Sequence, residues 1–163
     1  MEHVGPADLL DRVLALCETL LLRQDITIEK RIAPDLPSIL CSQSQIQQIL
    51  LNLIINARDA VNERYPGAGP DKRITVRLGL YEARGGRYVR YSIVDQGSGI
   101  PPEIASRIFE PFFTTKPQGA GTGIGLSISY GIARAHKGDL SFENRPEGGT
   151  VFHLDLPLEV QAD

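Results

Sequence analysis

The chain has 163 residues, of which 42% are hydrophobic and 23% are charged, a balance typical of one globular domain with its own core. The formal net charge of −3 gives no reason to expect nucleic acid or an acidic membrane as a partner. Cys17 and Cys41 lie far apart without a Cys-x-x-Cys pair, so we expect buried free thiols. No apolar run has the length of a membrane span, and we expect a cytoplasmic segment without direct membrane contact.

The hydrophobic pattern predicts helices and strands along most of the chain. We expect residues 1–5 to be a linker or a cloning remnant, residues 6–158 to fold, and residues 159–163 to be a tail. The predicted elements are a helix from Pro6, strands over 26–32 and 38–41, a helix from Ser42, strands over 73–81 and 87–94, a short helix over 101–109, a helix ending at Lys137, and strands over 139–144 and 150–156. This order predicts a two-layer α/β sandwich, with three helices on one face of a mixed, mostly antiparallel sheet.

Polar residues at helical spacing interrupt the apolar helix that starts at Ser42. Gln48, Asn52, Asn56 and Asp59 follow one another at steps of four, four and three, which places them on one narrow stripe. The rest of this helix is apolar nearly all round, which predicts burial. Buried amides and a carboxylate need partners, and a bound ligand or Mg²⁺ would supply them. The alternative is a polar network among neighbouring helices.

Two glycine-rich segments, residues 95–99 and 119–126, flank a stretch without clear periodicity. The second segment leads into a helix, and glycines before a helix N-terminus predict an anion site, here for phosphate. A dinucleotide-binding fingerprint is disfavoured because no strand precedes that segment. The intervening loop, residues 110–122, is expected to form a lid over a nucleotide. The alternative is that both clusters are ordinary loops.

These motifs together resemble one family. Asn52-x-x-x-Asn56-Ala57-x-Asp59 is similar to the N box of the GHKL, or Bergerat, ATP-binding fold shared by sensor histidine kinases, type II topoisomerases, heat-shock ATPase chaperones and MutL-type repair proteins. The G1 box, F box, G2 box and G3 element have counterparts at residues 95–99, 109–116, 121–126 and 148–150. The F box narrows the resemblance to two-component sensor kinases, and the residues in the boxes resemble those of the nitrogen-sensor branch. Residues 6–158 would then be a histidine kinase catalytic domain.

The resemblance implies that ATP and Mg²⁺ bind here. Asp95 is the candidate acceptor for the adenine amine, although a turn aspartate capping its own loop is the alternative. Asn56 would coordinate Mg²⁺, Asn52 would support the phosphate region, and Asp59 would act through water or at the adenine end. Further nucleotide-binding candidates are Gly97, Gly99, Ile100, Phe109, Lys116, Gly121, Thr122, Gly123, Ile124, Gly125, Leu126 and Thr150.

The reaction type depends on Asn52. The hydrolysing relatives carry a glutamate at this position to activate water, and an amide has no such basicity. Transfer to a histidine is therefore favoured over hydrolysis. Gln48, four residues earlier, could orient that histidine through its carbonyl oxygen but could not take its proton.

None of the three histidines resembles a phospho-acceptor in its helix. His3 falls in the expected linker, His136 lies near a helix end where a positive charge suits the dipole, and His153 lies in the last strand. We expect the acceptor on a separate dimerisation and histidine-phosphotransfer domain, a response regulator downstream, and a monomeric isolated domain. Two alternatives stay open: a stand-alone serine kinase of the anti-sigma type, and a non-catalytic nucleotide-binding interaction module.

Overall fold

The structure of the chain is a computed structural model that describes residues 1–70, 72–113 and 125–158. Within these residues the strands are β1 (Glu2–Val4), β2 (Thr27–Ile32), β3 (Ile39–Cys41), β4 (Arg73–Ala83), β5 (Gly86–Asp95), β6 (Asp139–Asn144) and β7 (Thr150–Pro157). The helices are α1 (Pro6–Arg23), α2 (Gln43–Arg64) and α3 (Gly125–Ala135), together with a 3-10 turn (Ala105–Arg107).

The strands form one main sheet and one small sheet. The main sheet has the order β2-β4-β5-β7-β6, and the small sheet pairs β1 with β3. β2 runs parallel to β4, whereas every other pair is antiparallel. The predicted fold class is confirmed: an α/β sandwich with three helices and a mixed, mostly antiparallel sheet.

Alternate residues of β4 show which face of the sheet the helices cover. Ile74, Val76 and Leu78 lie in the same hydrophobic core as the helices, whereas Arg77 between them is exposed. This alternation is expected of a pleated strand with one face packed and one face in solvent. Within the described residues, no helix has both the length and the apolar character needed to cross a bilayer.

The helix α2 carries most of the candidate site residues, and a side chain caps its start. Ser42 has an extended backbone, and its hydroxyl accepts a hydrogen bond from the backbone N–H of Gln45 at 3.5 Å. This is the N-cap that the sequence predicted. Apolar residues from Ile46 to Val61 then bury the side of α2 that faces the core. The cap and the core together fix how α2 presents its polar residues.

A buried histidine joins the end of α3 to the start of α2. His136 follows the last residue of α3 and is buried. Its Nδ1 donates to the carbonyl oxygen of Ile132 at 2.9 Å, and its Nε2 accepts from the backbone N–H of Ser42 at 3.1 Å. These two bonds use both ring nitrogens of His136 to join the end of α3 to the start of α2.

Loss of this histidine is expected to destabilise the fold. We expect His136→Ala to lower the free energy of unfolding by about 2 kcal/mol, because the Ser42 N–H loses its acceptor and the ring leaves a cavity. Urea denaturation measures the change. His3→Ala is the matched control, since His3 is exposed, and we expect it to change stability by less than about 0.5 kcal/mol. Equal effects of the two substitutions would contradict the assigned role of His136.

The prediction that residues 1–5 form a linker is wrong. Glu2–Val4 forms β1, with His3 opposite Leu40 of β3 and Val4 buried in the core. A strand of this length is too short for a periodic pattern to be recognised. Its partner β3 also lies far along the chain, so local sequence carried no signal for the pairing.

The short helix predicted over residues 101–109 is a 3-10 turn instead. The Ile104 N–H donates to the Pro101 carbonyl at 3.1 Å, and the Arg107 N–H donates to the Ile104 carbonyl at 2.9 Å. These bonds join residues three apart, as in a 3-10 helix.

Candidate functional site

The polar stripe of α2 lies at an open edge of the core. Asn52, Asn56 and Asp59 are half-buried, and Gln48 is exposed. The prediction of a fully buried stripe is therefore wrong, because no described element covers this side of the helix completely. The amide and carboxylate groups stand where a ligand entering from solvent can contact them.

Asn52 lies where α2 meets the start of α3. Its Nδ2 donates to the hydroxyl of Ser129 at 3.2 Å. A Cβ at position 125 would lie 2.7 Å from Oδ1 and 2.9 Å from Nδ2 of Asn52, so a larger residue there would push the Asn52 amide out of this position. Gly125, the first residue of α3, is therefore held against a second candidate site residue by direct packing.

Arg58 lies along the stripe and contacts Asp59. Its Nε and Nη2 donate to Oδ1 of Asp59 at 3.1 and 2.9 Å. Both side chains are partly shielded, with 23% and 30% of their surfaces exposed. The guanidinium of Arg58 therefore lies beside the Asp59 carboxylate, where it can offset the negative charge of that carboxylate near a nucleotide.

Asp95 is a buried carboxylate at the end of β5. It is 3% exposed, and its Oδ1 accepts the backbone N–H of Gly97 at 2.8 Å. Burial raises the pKa of the Asp95 carboxyl above its usual 3.8, while the N–H groups of Gly97 and Thr150 and the charge of Arg145 act in the opposite direction. A carboxylate has about four lone-pair sites, so these two donors leave capacity for an amine of a ligand.

The raised pKa of Asp95 predicts a pH-dependent contribution to stability. The folded protein keeps this proton to a higher pH than the unfolded chain, whose aspartate titrates near 3.8. The contribution of Asp95 to the free energy of unfolding of the wild type therefore falls as the pH rises from 3.8 to the raised pKa of the folded protein. Above that pKa the contribution of Asp95 stays at its lowest level. We expect the free energy of unfolding of Asp95→Asn, relative to wild type, to rise as the pH increases above about 4 in urea denaturation. A difference that falls over this range would contradict the buried, ionised carboxylate.

Two glycines allow the loop beside Asp95 to pack closely. A Cβ on Gly97 would lie 2.7 Å from the Cβ of Ala60 in α2. Gly149 has a φ of 92°, and a Cβ there would collide with the Asp95 carbonyl oxygen. Glycine is therefore required at both positions for the backbone to close around Asp95.

Two arginines that the sequence analysis did not single out hold the same loop. Arg64 donates from Nη1 to the carbonyl oxygens of Gln96 at 3.1 Å and Gly97 at 2.9 Å. Arg145 donates from Nη1 to the carbonyl oxygen of Asp95 at 3.4 Å. Local pattern could not reveal these contacts, because the partners are separated by more than 30 residues of chain.

Asn144 holds the end of the loop that follows Asp95, a role that the sequence did not indicate. It donates from Nδ2 to the Ile100 carbonyl at 2.7 Å and accepts the Ile100 N–H through Oδ1 at 2.8 Å. The hydroxyl of Thr150 donates to the same Oδ1 at 3.4 Å, and Thr150 is buried. Gly99, with a φ of 83°, lies beside Asn144. Thr150, Gly99 and Ile100 are thus brought together around one amide.

Phe109 lies in an aromatic cluster between the 3-10 turn, α3 and β6. Its ring stacks on Tyr130 with centroids 5.1 Å apart and meets Phe142 edge-on at 6.2 Å. These rings line an open cavity of about 650 Å³. Leu126, another of the nucleotide-binding candidates, is half-buried against the core. The described contacts of Phe109 are therefore with aromatic side chains, and its predicted role toward a nucleotide stays a prediction.

Several candidate residues lie outside the described part of the chain. They are Lys116, Gly121, Thr122, Gly123 and Ile124, with most of the predicted lid over residues 110–122. Their assignments stay predictions.

The donor set fits a magnesium ion that is shared with phosphates. Among the described residues, no cluster of three or more histidine, cysteine or acidic side chains could hold a metal alone. Mg²⁺ at nucleotide sites usually takes one or two protein oxygens and completes its shell with water and phosphate oxygens. Asn56 is half-buried on the open edge of α2, and its amide oxygen is a suitable ligand of this kind.

Comparison with known proteins identifies the family of this chain. The family profile described as "Histidine kinase-, DNA gyrase B-, and HSP90-like ATPase" matches residues 41–160. The two-component sensor PprA of Pseudomonas aeruginosa is 42% identical over 119 residues, which cover 73% of this chain and 12% of PprA. The sensor kinase CckA of Brucella abortus is 36% identical over 161 residues, which cover 94% of this chain and 17% of CckA. The chain therefore spans less than a fifth of either protein.

Solved structures show the same fold. The nucleotide-free catalytic domain of histidine kinase ThkA has a TM-score of 0.79 and 31% identity, with 97% of each chain covered. Full-length ShkA in complex with AMPPNP has a TM-score of 0.76 and 28% identity, covering 99% of this chain and 32% of ShkA. ThkA in complex with the response regulator protein TrrA has a TM-score of 0.76 and 28% identity, covering 97% of this chain and 42% of that chain.

Proposed function

We propose that this chain, which belongs to the family of histidine kinase-, DNA gyrase B- and HSP90-like ATPases, transfers the γ-phosphate of ATP to a histidine on a separate dimerisation helix. It is an ATP-binding catalytic domain of the sensor histidine kinase type. The presence of an amide at Asn52 supports phosphoryl transfer rather than ATP hydrolysis. Its amide is held by Ser129 of α3. An amide takes no proton from water, so phosphoryl transfer to a stronger nucleophile is favoured over hydrolysis.

Asp95 would select the base of the nucleotide. Its carboxylate is buried at the end of β5 and fixed by the Gly97 N–H. The exocyclic amine of adenine is a hydrogen-bond donor, whereas guanine presents a carbonyl oxygen at the corresponding position. A fixed, buried acceptor therefore favours ATP and ADP over GTP, because the wrong base would leave the carboxylate unpaired.

The phosphates would lie between α2 and the start of α3. Asn56 would contribute an amide oxygen to Mg²⁺, with Asn52 and Asp59 nearby on the same stripe. When bound, Mg²⁺ neutralises charge that develops on the transferring phosphoryl group. Lys116 and the amides of residues 121–125 are proposed to hold the phosphates from the other side.

The histidines of this chain support an acceptor outside it. His3 is paired in the small sheet, and His136 uses both ring nitrogens within the fold. His153 lies in β7, bonded to Ser92 at 2.7 Å and Glu143 at 3.0 Å. We therefore propose that the acceptor is a histidine of a dimerisation and phosphotransfer domain, and that a cytoplasmic response regulator receives the phosphoryl group next. The isolated domain is proposed to be monomeric.

A phosphotransfer assay tests this function. The chain is incubated with Mg²⁺ and γ-labelled ATP, together with a dimeric helical hairpin that carries one phosphorylatable histidine. The control is the same hairpin with that histidine replaced by glutamine, and a serine peptide is the competing acceptor. We expect label on the histidine hairpin alone, lost in acid and stable in alkali, as a phosphoramidate is. Label on the serine peptide would support a serine kinase, and nucleotide binding without labelling would support an interaction module.

A further inference from the structure

The buried hydroxyl of Ser129 contacts a candidate site residue. Ser129 lies in the middle of α3 and is 2% exposed. A hydroxyl this deep in a protein needs a hydrogen-bond partner, because an unpaired polar group in the interior is costly. Its partner across the helix interface is Nδ2 of Asn52 at 3.2 Å.

This contact sets the direction of the Asn52 amide. An asparagine carries two different groups, since Nδ2 only donates and Oδ1 only accepts. Both atoms lie beside Gly125, with Oδ1 2.7 Å and Nδ2 2.9 Å from where a Cβ of that residue would be. Because Nδ2 is bonded to Ser129, the contact fixes which group donates and keeps Oδ1 available as an acceptor beside the start of α3. An acceptor there suits Mg²⁺ or its bound water, whereas a rotated amide would present N–H groups instead.

The same contact joins two helices that carry different parts of the site. Asn52 is on α2 with Asn56, and Ser129 is on the helix that begins at Gly125. At the far end of this interface, His136 bonds to the backbone N–H of Ser42. Of these two contacts, both within the described residues, that of Ser129 lies nearer to the proposed phosphate region.

We propose that Ser129 is a positioning residue for phosphoryl transfer, which holds the Asn52 amide by its nitrogen and so keeps its oxygen available as an acceptor. This inference rests on the proposed function. Ser129 acts through Asn52 and does not touch the nucleotide. Its removal is therefore expected to affect the transfer rate and the Mg²⁺ requirement, and to leave recognition of adenine unchanged.

Ser129→Ala, Ser129→Thr and Asn52→Ala, with the double variant Ser129→Ala/Asn52→Ala, test the proposal. We expect Ser129→Ala to lower the transfer rate about tenfold and to raise the Mg²⁺ concentration for half-maximal rate, with Kd for ADP unchanged within about twofold. Ser129→Thr keeps the hydroxyl and should restore most of the rate. In the Asn52→Ala background, Ser129→Ala should have no further effect, since the partner is gone. Additive losses, or an equal loss of ADP binding, would overturn the proposal.

A measurement without turnover separates this proposal from the proposed function. In nuclear magnetic resonance spectra of the labelled chain, the side-chain amide protons of Asn52 should shift and exchange faster with solvent in Ser129→Ala, and Asn62, on the same helix, should not change. If wild type transfers no phosphate but the Asn52 signals respond, the function fails and the positioning contact stands. If the Asn52 signals do not respond, the contact itself is refuted, whatever the activity.

Discussion

Asp95→Asn is expected to weaken binding of ATP and ADP by about 100-fold. The carboxylate lies in a buried position where the Gly97 N–H fixes one oxygen. Asparagine keeps the size of the side chain but replaces one oxygen with an amino group, which opposes the amine of adenine. Titration calorimetry with ADP measures the loss directly, and circular dichroism confirms that the variant is folded.

Asp11→Asn is the matched control for this substitution. It makes the same chemical change on α1, where Asp11 is exposed and forms a solvent-accessible ion pair with Lys30 at 3.5 Å. We expect its affinity for ADP to equal that of wild type, because surface ion pairs contribute little. If Asp95→Asn bound ADP as tightly as Asp11→Asn, the adenine would have to be recognised elsewhere.

Asn56→Ala is expected to reduce phosphoryl transfer by roughly 100-fold or more, because it removes the protein ligand proposed for Mg²⁺. Asn56 lies on the half-buried stripe of α2 and makes no contribution to the buried side of that helix. The substitution should therefore leave the fold and the adenine contact intact. The prediction is a large loss of rate with binding of metal-free ADP preserved, measured by the labelling assay and by calorimetry.

Asn62→Ala serves as the control on the same helix. Asn62 bonds to Gln24 at 3.0 Å, at the junction of α1 and α2. We expect Asn62→Ala to lower stability slightly and to leave the transfer rate unchanged. A full rate in Asn56→Ala, or an equal loss in both variants, would show that Asn56 is not the metal ligand.

The local parts of the fold could be predicted from the sequence. The cap at Ser42, the apolar spacing of α2 and the position of Asp95 directly after a strand are all readable within a few residues. The strands β4 and β5 were predicted for the same reason, since their alternation is strong. The glycines at 97 and 149 were identified as motif members, but the packing that requires them was visible only in the structure.

The remaining parts depend on contacts between distant segments. Arg64 and Asn144 hold the loop after Asp95 from a helix end and a strand end, and no sequence pattern links them to it. The exposure of Gln48 followed from how far the neighbouring elements extend along α2, which periodicity does not report. The role of His136 depends on its contact with the backbone N–H of Ser42, which is distant in the sequence. Tertiary packing decides each of these cases.

The most direct test of the central claim is calorimetric titration of the wild-type chain with ATP, ADP and GTP, each with and without Mg²⁺. We expect saturable binding of ATP and ADP, strengthened by Mg²⁺ for ATP, and binding of GTP that is weaker by at least about tenfold. Absence of ATP binding by a folded chain, or equal binding of GTP, would contradict a nucleotide site organised around Asp95.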